Sequence, residues 1–271
     1  MEKALRGGGL ALITALVLTT LEAQNPRPSV EDPAALVRER QLVAIGNVTE
    51  TWELRWKTPP KPACEPIDSS LTCPCTGFAY GEGGDLILVR IRDGEEIDRL
   101  ELTQLFKGAD VNLGEIAVLQ RWEPNYETDF EASQKNDFLD VVARRSIVKI
   151  MEFIDYDHDG QRSEFFLQTD TLPCGKRLGV VVGVSNSNQK LHVFGTATKP
   201  TEGLLLEKGA WEALSRAQGP IEIVEWPCGD HGSDEETTVR LEYTDKGIDG
   251  VRHTFACPRY PGQHPIRDEP L

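Results

Sequence analysis

The chain has 271 residues, of which 44 are acidic and 29 are basic, and its formal net charge is −15 at pH 7. A strongly negative surface repels the phosphates of nucleic acids and of anionic membranes, which argues against both as partners. The length allows one large β-rich domain or two small ones.

The N-terminus has the pattern of a secretory signal peptide. Lys3 and Arg6 supply positive charge, residues 10–18 form an apolar run, and residues 19–23 form a cleavage region. A retained membrane anchor is the alternative, but it needs about 20 apolar residues. We therefore expect residues 1–23 to be removed, the mature chain to lack an integral membrane span, and the protein to be secreted or periplasmic.

Beyond that segment we expect three parts. Residues 24–75 are predicted to be an N-terminal arm, with a short helix over 33–41 and a strand over 51–56. The arm ends in a linker in which Pro59, Pro60, Pro62 and Pro66 disfavour regular strand pairing. Residues 76–257 are predicted to be a β-rich domain, and residues 258–271 a C-terminal tail.

Turn signals and apolar alternation predict the elements of the domain. The Asp93-Gly94 pair marks a hairpin turn between strands over 86–91 and 97–102. A short helix is expected over 211–217. The other expected strands span 115–122, 178–184, 190–196, 221–226, 238–243 and 251–256. The prediction is a mainly β fold, antiparallel and sandwich-like or a meander, with one or two short helices, and an α+β fold is the alternative.

An even number of cysteines in an exported chain predicts disulfides. Structural zinc is the alternative, but the one-residue gap between Cys73 and Cys75 is too short for the usual zinc spacing. The strands predicted over 221–226, 238–243 and 251–256 form a C-terminal meander, in which the first and third strands run in the same direction. Cys228 and Cys257 follow these two strands, so we expect a disulfide bridge between them. A Cys228 nucleophile beside His231 is the less favoured alternative. The six cysteines are Cys64, Cys73, Cys75, Cys174, Cys228 and Cys257.

The most informative stretch of the chain runs from residue 155 to residue 164, Asp-Tyr-Asp-His-Asp-Gly-Gln-Arg-Ser-Glu. Carboxylates at positions one, three and five can converge on a hard cation, and a glycine at position six permits the sharp turn. An Asp-rich turn is the alternative, but its carboxylates would repel one another without a counter-ion. Calcium is favoured over magnesium because the loop offers many oxygen ligands.

This stretch resembles the short extracellular calcium loops of the Excalibur type, Asp-x-Asp-x-Asp-Gly-x-x-Cys-Glu, and the strand–loop–strand sites of FG-GAP and VCBS repeats. Ser163 stands where the Excalibur loop has cysteine. A longer helix–loop–helix site is not matched, because Phe166 occupies the position of its closing glutamate. The resemblance implies a backbone carbonyl ligand from Gln161, a side-chain oxygen from Glu164 directly or through water, and carboxylate ligands from Asp155, Asp157 and Asp159.

Two secondary structures are compatible with residues 146–154, the segment that enters this loop. Ile147, Ile150, Met151 and Ile154 have helical spacing, whereas the Ile and Val content of residues 146–154 favours a strand. The chain that leaves the loop, residues 164–169, has a strand-like composition. We favour strand–loop–strand.

No sequence motif identifies catalytic residues, since the chain has neither a nucleophile elbow nor a zinc-protease helix. We expect a calcium-binding, β-rich, non-enzymatic binding or envelope-associated module with one structural Ca²⁺, and the sequence does not identify a protein or glycan partner. The alternative is a calcium-stabilised secreted hydrolase acting on polysaccharide or peptide, because paired carboxylates on strands leave no local signature.

Overall fold

The computed structural model describes residues 36–64, 75–106, 116–125, 129, 138–171, 176–200, 202–244 and 247–271. The predicted signal peptide, Cys73 and Cys174 lie outside these residues. The strands form four antiparallel sheets, which confirms the predicted mainly β fold. Within the described residues two short α-helices occur, α1 over Phe138–Val142 and α2 over Lys208–Arg216, and α2 confirms the helix predicted near residue 211.

The first sheet has the strand order β1-β2-β5-β6, with strands at Val37–Ile45, Val48–Trp56, Leu86–Arg92 and Glu95–Glu101. Asp93 and Gly94 both have positive φ between β5 and β6, as the predicted hairpin requires. The helix predicted over 33–41 is wrong from Val37 onward. Pairing with β2 decides the structure there, because it buries Val43 and Ile45 on alternate positions of β1.

The second sheet has the strand order β3-β4-β7, with strands at Lys61–Ala63, Gly81–Gly84 and Ala117–Gln120. The expectation that the prolines of residues 59–66 prevent pairing is wrong for β3, in which Pro62 lies opposite Glu82. An edge strand tolerates proline because one of its sides needs no backbone N–H donors.

In the third sheet, β9 at Arg177–Gly183 pairs with three other strands. These are β8 at Glu164–Thr171, β10 at His192–Val193 and β11 at Leu206–Glu207. The strands predicted over 178–184 and 190–196 are confirmed by β9 and β10, which pair with each other.

The fourth sheet is the predicted C-terminal meander with one strand more. Its order is β12-β13-β14-β15, at Ile221–Trp226, Glu235–Thr244, Gly247–Ala256 and Arg267–Pro270. Residues 258–271 are therefore more than a loose tail, because β15 pairs with the free edge of β14. The predicted bridge between Cys228 and Cys257 is confirmed, with the two Cα atoms 5.6 Å apart. Cys64 also takes part in a disulfide.

The described residues from 36 to 271 form one compact unit, and its apolar core has two main clusters separated by the third sheet. Phe165 and Val182 face a cluster that contains Trp52 of the first sheet. The neighbouring Val181 faces a cluster that contains Trp211 of α2, together with apolar residues of the fourth sheet. Strands β8 and β9 are thus buried on both faces, and the acidic loop is the segment that leads into β8.

Candidate metal site

The acidic loop is closed at its base by one backbone hydrogen bond. The Ile154 N–H donates to the carbonyl of Glu164 over 2.8 Å, and β8 begins at this residue. The strand predicted on the outgoing side is therefore confirmed. On the incoming side, residues 146–153 form neither the strand that we favour nor the helix that we considered.

Side chains of β1 explain why the incoming segment joins no sheet. The Glu39 carboxylate accepts the N–H groups of Ile150 and Met151, over 2.7 and 3.2 Å, and the Arg38 guanidinium donates to the carbonyl of Val148 over 2.9 Å. These bonds satisfy backbone groups that would otherwise need a neighbouring strand. Because both side chains come from residues more than 100 positions earlier, local composition carried no sign of this arrangement.

The three aspartates of the loop converge. Asp155, Asp157 and Asp159 each present an oxygen within 4.8 Å of the oxygens of the other two. The chain reverses direction through left-handed conformations at His158 and Gly160, which have φ values of 61° and 86°. The glycine at position six thus has the conformational role that the sequence predicts.

Backbone N–H groups within the loop orient the three carboxylates. The Gly160 N–H donates to Asp155 over 3.0 Å, the Asp159 N–H to Asp157 over 3.2 Å, and the Gln161 N–H to Asp159 over 2.8 Å. The basic residue of the loop, Arg162, turns away and donates to the carbonyl of Phe153 instead. The carboxylates therefore receive hydrogen bonds from neutral groups of the loop and gain no positive charge from its arginine.

Glu164 is fully buried at the base of the loop. One of its oxygens accepts the N–H of Tyr156 over 2.8 Å, and the other lies beside the Ser163 hydroxyl. Its side chain therefore turns back toward the start of the loop, although it does not belong to the group of three converging carboxylates. The ligand role predicted for Glu164 stays a prediction.

Burial and mutual repulsion raise the pKa values of two of these carboxyl groups. Burial raises the pKa of Asp157 to about 6, and the nearby charges of Asp159 and Asp155 add to the effect. Burial likewise raises the pKa of Glu164 to about 8, and the charges of Asp157 and Asp159 contribute. The loop is consequently a place where negative charge is held close together at an energetic cost.

Two turns from other parts of the fold hold the loop in position. The Gln161 side chain accepts the N–H of Gly46, between β1 and β2, over 2.7 Å, and donates to the Asn186 side chain over 2.9 Å. The Asn186 N–H donates to the Asp159 carboxylate over 2.9 Å. The backbone carbonyl predicted as a ligand from Gln161 is a separate group, and its role stays a prediction.

His158 is exposed, unlike the partly buried aspartates on either side of it. Its Nε2 atom lies 3.1 Å from the carbonyl oxygen of Leu214 in α2, and its ring lies 4.9 Å from the ring of Tyr243 in β13. The loop therefore contacts both α2 and the fourth sheet.

Two buried oxygen atoms at this site have no hydrogen-bond partner among the described residues. They are Asp155 Oδ1 and the hydroxyl of Tyr243, and each has less than 1 Å² of exposed surface. Burial raises the pKa of Tyr243, and the charges of Asp157, Glu164 and Asp155 raise it further, so the phenol lies close to the acidic loop. Sequence reasoning missed Tyr243, because nothing in a strand of the C-terminal meander signals proximity to residue 155.

No protein-family model, curated protein or solved structure matches this chain. The resemblance to short extracellular calcium loops is confined to residues 155–164. In the described part of the chain, none of the helices combines the length and the apolar character that crossing a bilayer requires.

Proposed function

We propose that this protein is a secreted or periplasmic calcium-binding protein in which residues 155–164 hold one structural Ca²⁺. The observation that carries the proposal is the convergence of oxygens from Asp155, Asp157 and Asp159. Calcium takes about six to eight oxygen ligands in flexible geometry, and carboxylates are its preferred protein ligands. The Gln161 carbonyl, and Glu164 directly or through water, would supply further oxygens.

The energetics of the metal-free loop support the same proposal. Asp157 and Glu164 are held close to other carboxylates in a partly dehydrated setting, which disfavours their ionised forms. A divalent cation reverses that preference, because it neutralises two negative charges at the point where they are crowded. It also gives the buried Asp155 Oδ1 atom the partner that a buried polar atom requires.

We propose that the ion stiffens the contacts between the acidic loop and the elements around it. The loop contacts the turn at Gly46, the turn at Asn186, the end of α2 at Leu214 and the ring of Tyr243. These groups belong to the first, third and fourth sheets and to α2. An ion that orders the loop would therefore lock these elements together, as expected for a non-enzymatic binding or envelope-associated module outside the cytoplasm.

Export is supported by the signal-like N-terminus and by the Cys228–Cys257 bridge, because disulfides persist in oxidising compartments. The hydrolase alternative would be supported by a close pair of carboxyl groups with raised pKa outside the loop. Asp157 and Glu164, whose pKa values burial raises, both lie inside it.

Calcium binding is tested by isothermal titration calorimetry together with thermal unfolding, with and without a chelator. We expect one ion per chain. At a calcium concentration 100 times the dissociation constant, the free energy of unfolding should rise by about 2.7 kcal/mol. A protein that releases no heat with calcium and melts at the same temperature in chelator would refute the proposal.

Two matched aspartate variants locate the ion. Asp155→Asn removes a charge from the loop, whereas Asp93→Asn removes one from the β5–β6 turn, where Asp93 is exposed beside a glycine with positive φ. We expect Asp155→Asn to weaken calcium binding by about tenfold or more and Asp93→Asn to leave it unchanged. Equal affinities for the two variants would place the ion elsewhere.

A further inference from the structure

A cleft of about 370 Å³ opens beside the acidic loop. It lies between the turn that follows β9 and the β13–β14 hairpin, and the side chains of Asp157 and Asp159 form part of its wall. Its volume is in the range of about 300 to 1,000 Å³ that small-molecule sites occupy. One side of the proposed calcium site therefore faces a space large enough for a ligand.

Apart from the two aspartates, the wall of this cleft is made of uncharged groups. Hydroxyl and amide side chains come from Ser185, Asn186, Ser187, Thr196 and Thr244, and no lysine or arginine is among the described lining residues. Such a wall offers many hydrogen-bond donors and acceptors but no basic side chain to pair with a phosphate or a carboxylate. It therefore favours a neutral ligand rich in hydroxyl groups.

Ring surfaces complete the wall. The rings of His192 and Phe194 lie 4.6 Å apart at an interplanar angle of 30°, and Tyr243 lines the cleft as well. Burial lowers the pKa of the His192 imidazole, so the ring is uncharged at neutral pH. Aromatic side chains next to hydroxyl and amide groups match a molecule that has both apolar C–H surface and hydroxyl groups.

We propose that this cleft binds a neutral carbohydrate, and that hydroxyl groups of the sugar complete the coordination of the calcium ion held by Asp155, Asp157 and Asp159. This inference rests on the proposed function. Three carboxylates and one carbonyl leave vertices of a calcium ion open, and neutral oxygen atoms are suitable ligands for them. Because Asp157 and Asp159 line the cleft, those vertices would face the sugar.

The link between ion and sugar runs through the turn at Asn186. Its backbone N–H and its side chain hold Asp159 by hydrogen bonds of 2.9 Å to the carboxylate and 3.2 Å to the carbonyl, while the residue itself lines the cleft. An ion that orders Asp159 therefore orders the turn against which the sugar would lie. Removal of calcium would withdraw ligands from the sugar and loosen the wall at the same time.

The test titrates glucose, galactose, mannose and N-acetylglucosamine into the full-length protein, followed by ligand-observed NMR, in calcium and in chelator. We expect at least one of these sugars to bind in calcium and to bind about tenfold or more weakly in chelator. Calcium binding, measured separately without sugar, tests the proposed function on its own. A protein that binds calcium but none of the sugars, or that binds a sugar equally in chelator, would overturn the inference and leave the proposed function standing.

A variant that blocks the cleft tests sugar binding separately from calcium binding. Ser187→Arg places a long side chain at an exposed position of the cleft wall, and Gln218→Arg makes the same change of charge at an exposed position outside it. We expect Ser187→Arg to weaken sugar binding by about tenfold or more while Gln218→Arg leaves it unchanged, and both should bind calcium like the parent protein. Equal sugar affinities for the two variants would rule out this cleft.

Discussion

Buried carboxylates occur in two contrasting settings in this protein. In the first sheet, Glu50 is buried between Arg90 and Arg92, and Arg90 donates to both of its oxygens over 2.7 and 2.9 Å. In the acidic loop, the donors to Glu164 are the Tyr156 N–H and the Ser163 hydroxyl. The first carboxylate has counter-ions of its own, whereas the second is surrounded by neutral donors and further acids.

The pKa values follow this difference. Burial by itself raises the pKa of Glu50, but hydrogen bonds from Arg90 and Arg92 outweigh burial and hold the pKa below its usual value. Burial raises the pKa of Glu164 to about 8, and neighbouring carboxylates act in the same direction. A buried acid that has counter-ions keeps its ionised form favoured, whereas burial disfavours the ionised form of an acid that has none, and this contrast supports the proposed calcium site.

The largest loss of stability is expected when the buried ion pair between Glu50 and Arg90 in the first sheet is broken. Glu50→Gln removes the nearer counter-ion of Arg90, whose side chain is only 4% exposed, and leaves Asp98 at 3.6 Å as the other acidic partner, so the free energy of unfolding should fall by about 3 to 5 kcal/mol. Urea unfolding measures the loss, which should be the same with and without calcium.

The matched control for this variant is Glu96→Gln, which removes the partner of Arg99 from an exposed pair in β6. Solvent screens exposed pairs and leaves them little net stabilisation, so this variant should be close to the parent protein in stability. Equal losses of stability for Glu50→Gln and Glu96→Gln would contradict the view that a buried ion pair matters more to stability than an exposed one.

A smaller effect is expected from pH in calcium-free protein. The folded-state pKa of Glu164, about 8, lies above the usual value of 4.5, so the folded state binds this proton more tightly than the unfolded chain does. The resulting stabilisation is complete below pH 4.5 and is lost as the pH rises through 8. The calcium-free protein should be less stable at pH 8 than at pH 5 by roughly 3 kcal/mol.

Thermal unfolding at the two pH values measures this difference. Saturating calcium should reduce or reverse it, because the cation favours the ionised carboxylates. The variant Glu164→Gln, which carries no titrating group at this position, should lose most of the pH dependence. A stability that does not change with pH in calcium-free protein would show that the carboxylates are not crowded in solution.

The smallest effect, and the one with the opposite sign, is expected from Asp157→Asn. This change removes a crowded charge while keeping an oxygen to accept the Asp159 N–H, so the calcium-free protein should become more stable by about 1 kcal/mol at pH 7. The same variant should lose the stabilisation by calcium. Unfolding in chelator and in calcium separates the two effects. A calcium-free variant that is less stable than the parent protein would contradict the view that the carboxylates of the loop repel one another.

Much of the fold was predictable where local signals act. The Asp93-Gly94 turn, the helix α2 and the C-terminal meander follow from turn residues and apolar periodicity, and the bridge between Cys228 and Cys257 follows from the meander. The errors occur where long-range pairing overrides local composition. Strand β1, strand β15 and residues 146–153 all depend on partners that lie far away in sequence or at a sheet edge.

The sequence by itself determined the spacing of the three aspartates and the glycine turn that follows them, because the geometry of six consecutive residues is set by local backbone conformation. Only the tertiary structure decided that Asn186, 27 residues after Asp159, holds that carboxylate, that Tyr243 lies beside the loop, and that a cleft opens next to both. These features arise from the packing of separate sheets, and the burial that results from such packing is not encoded in any short stretch of the chain.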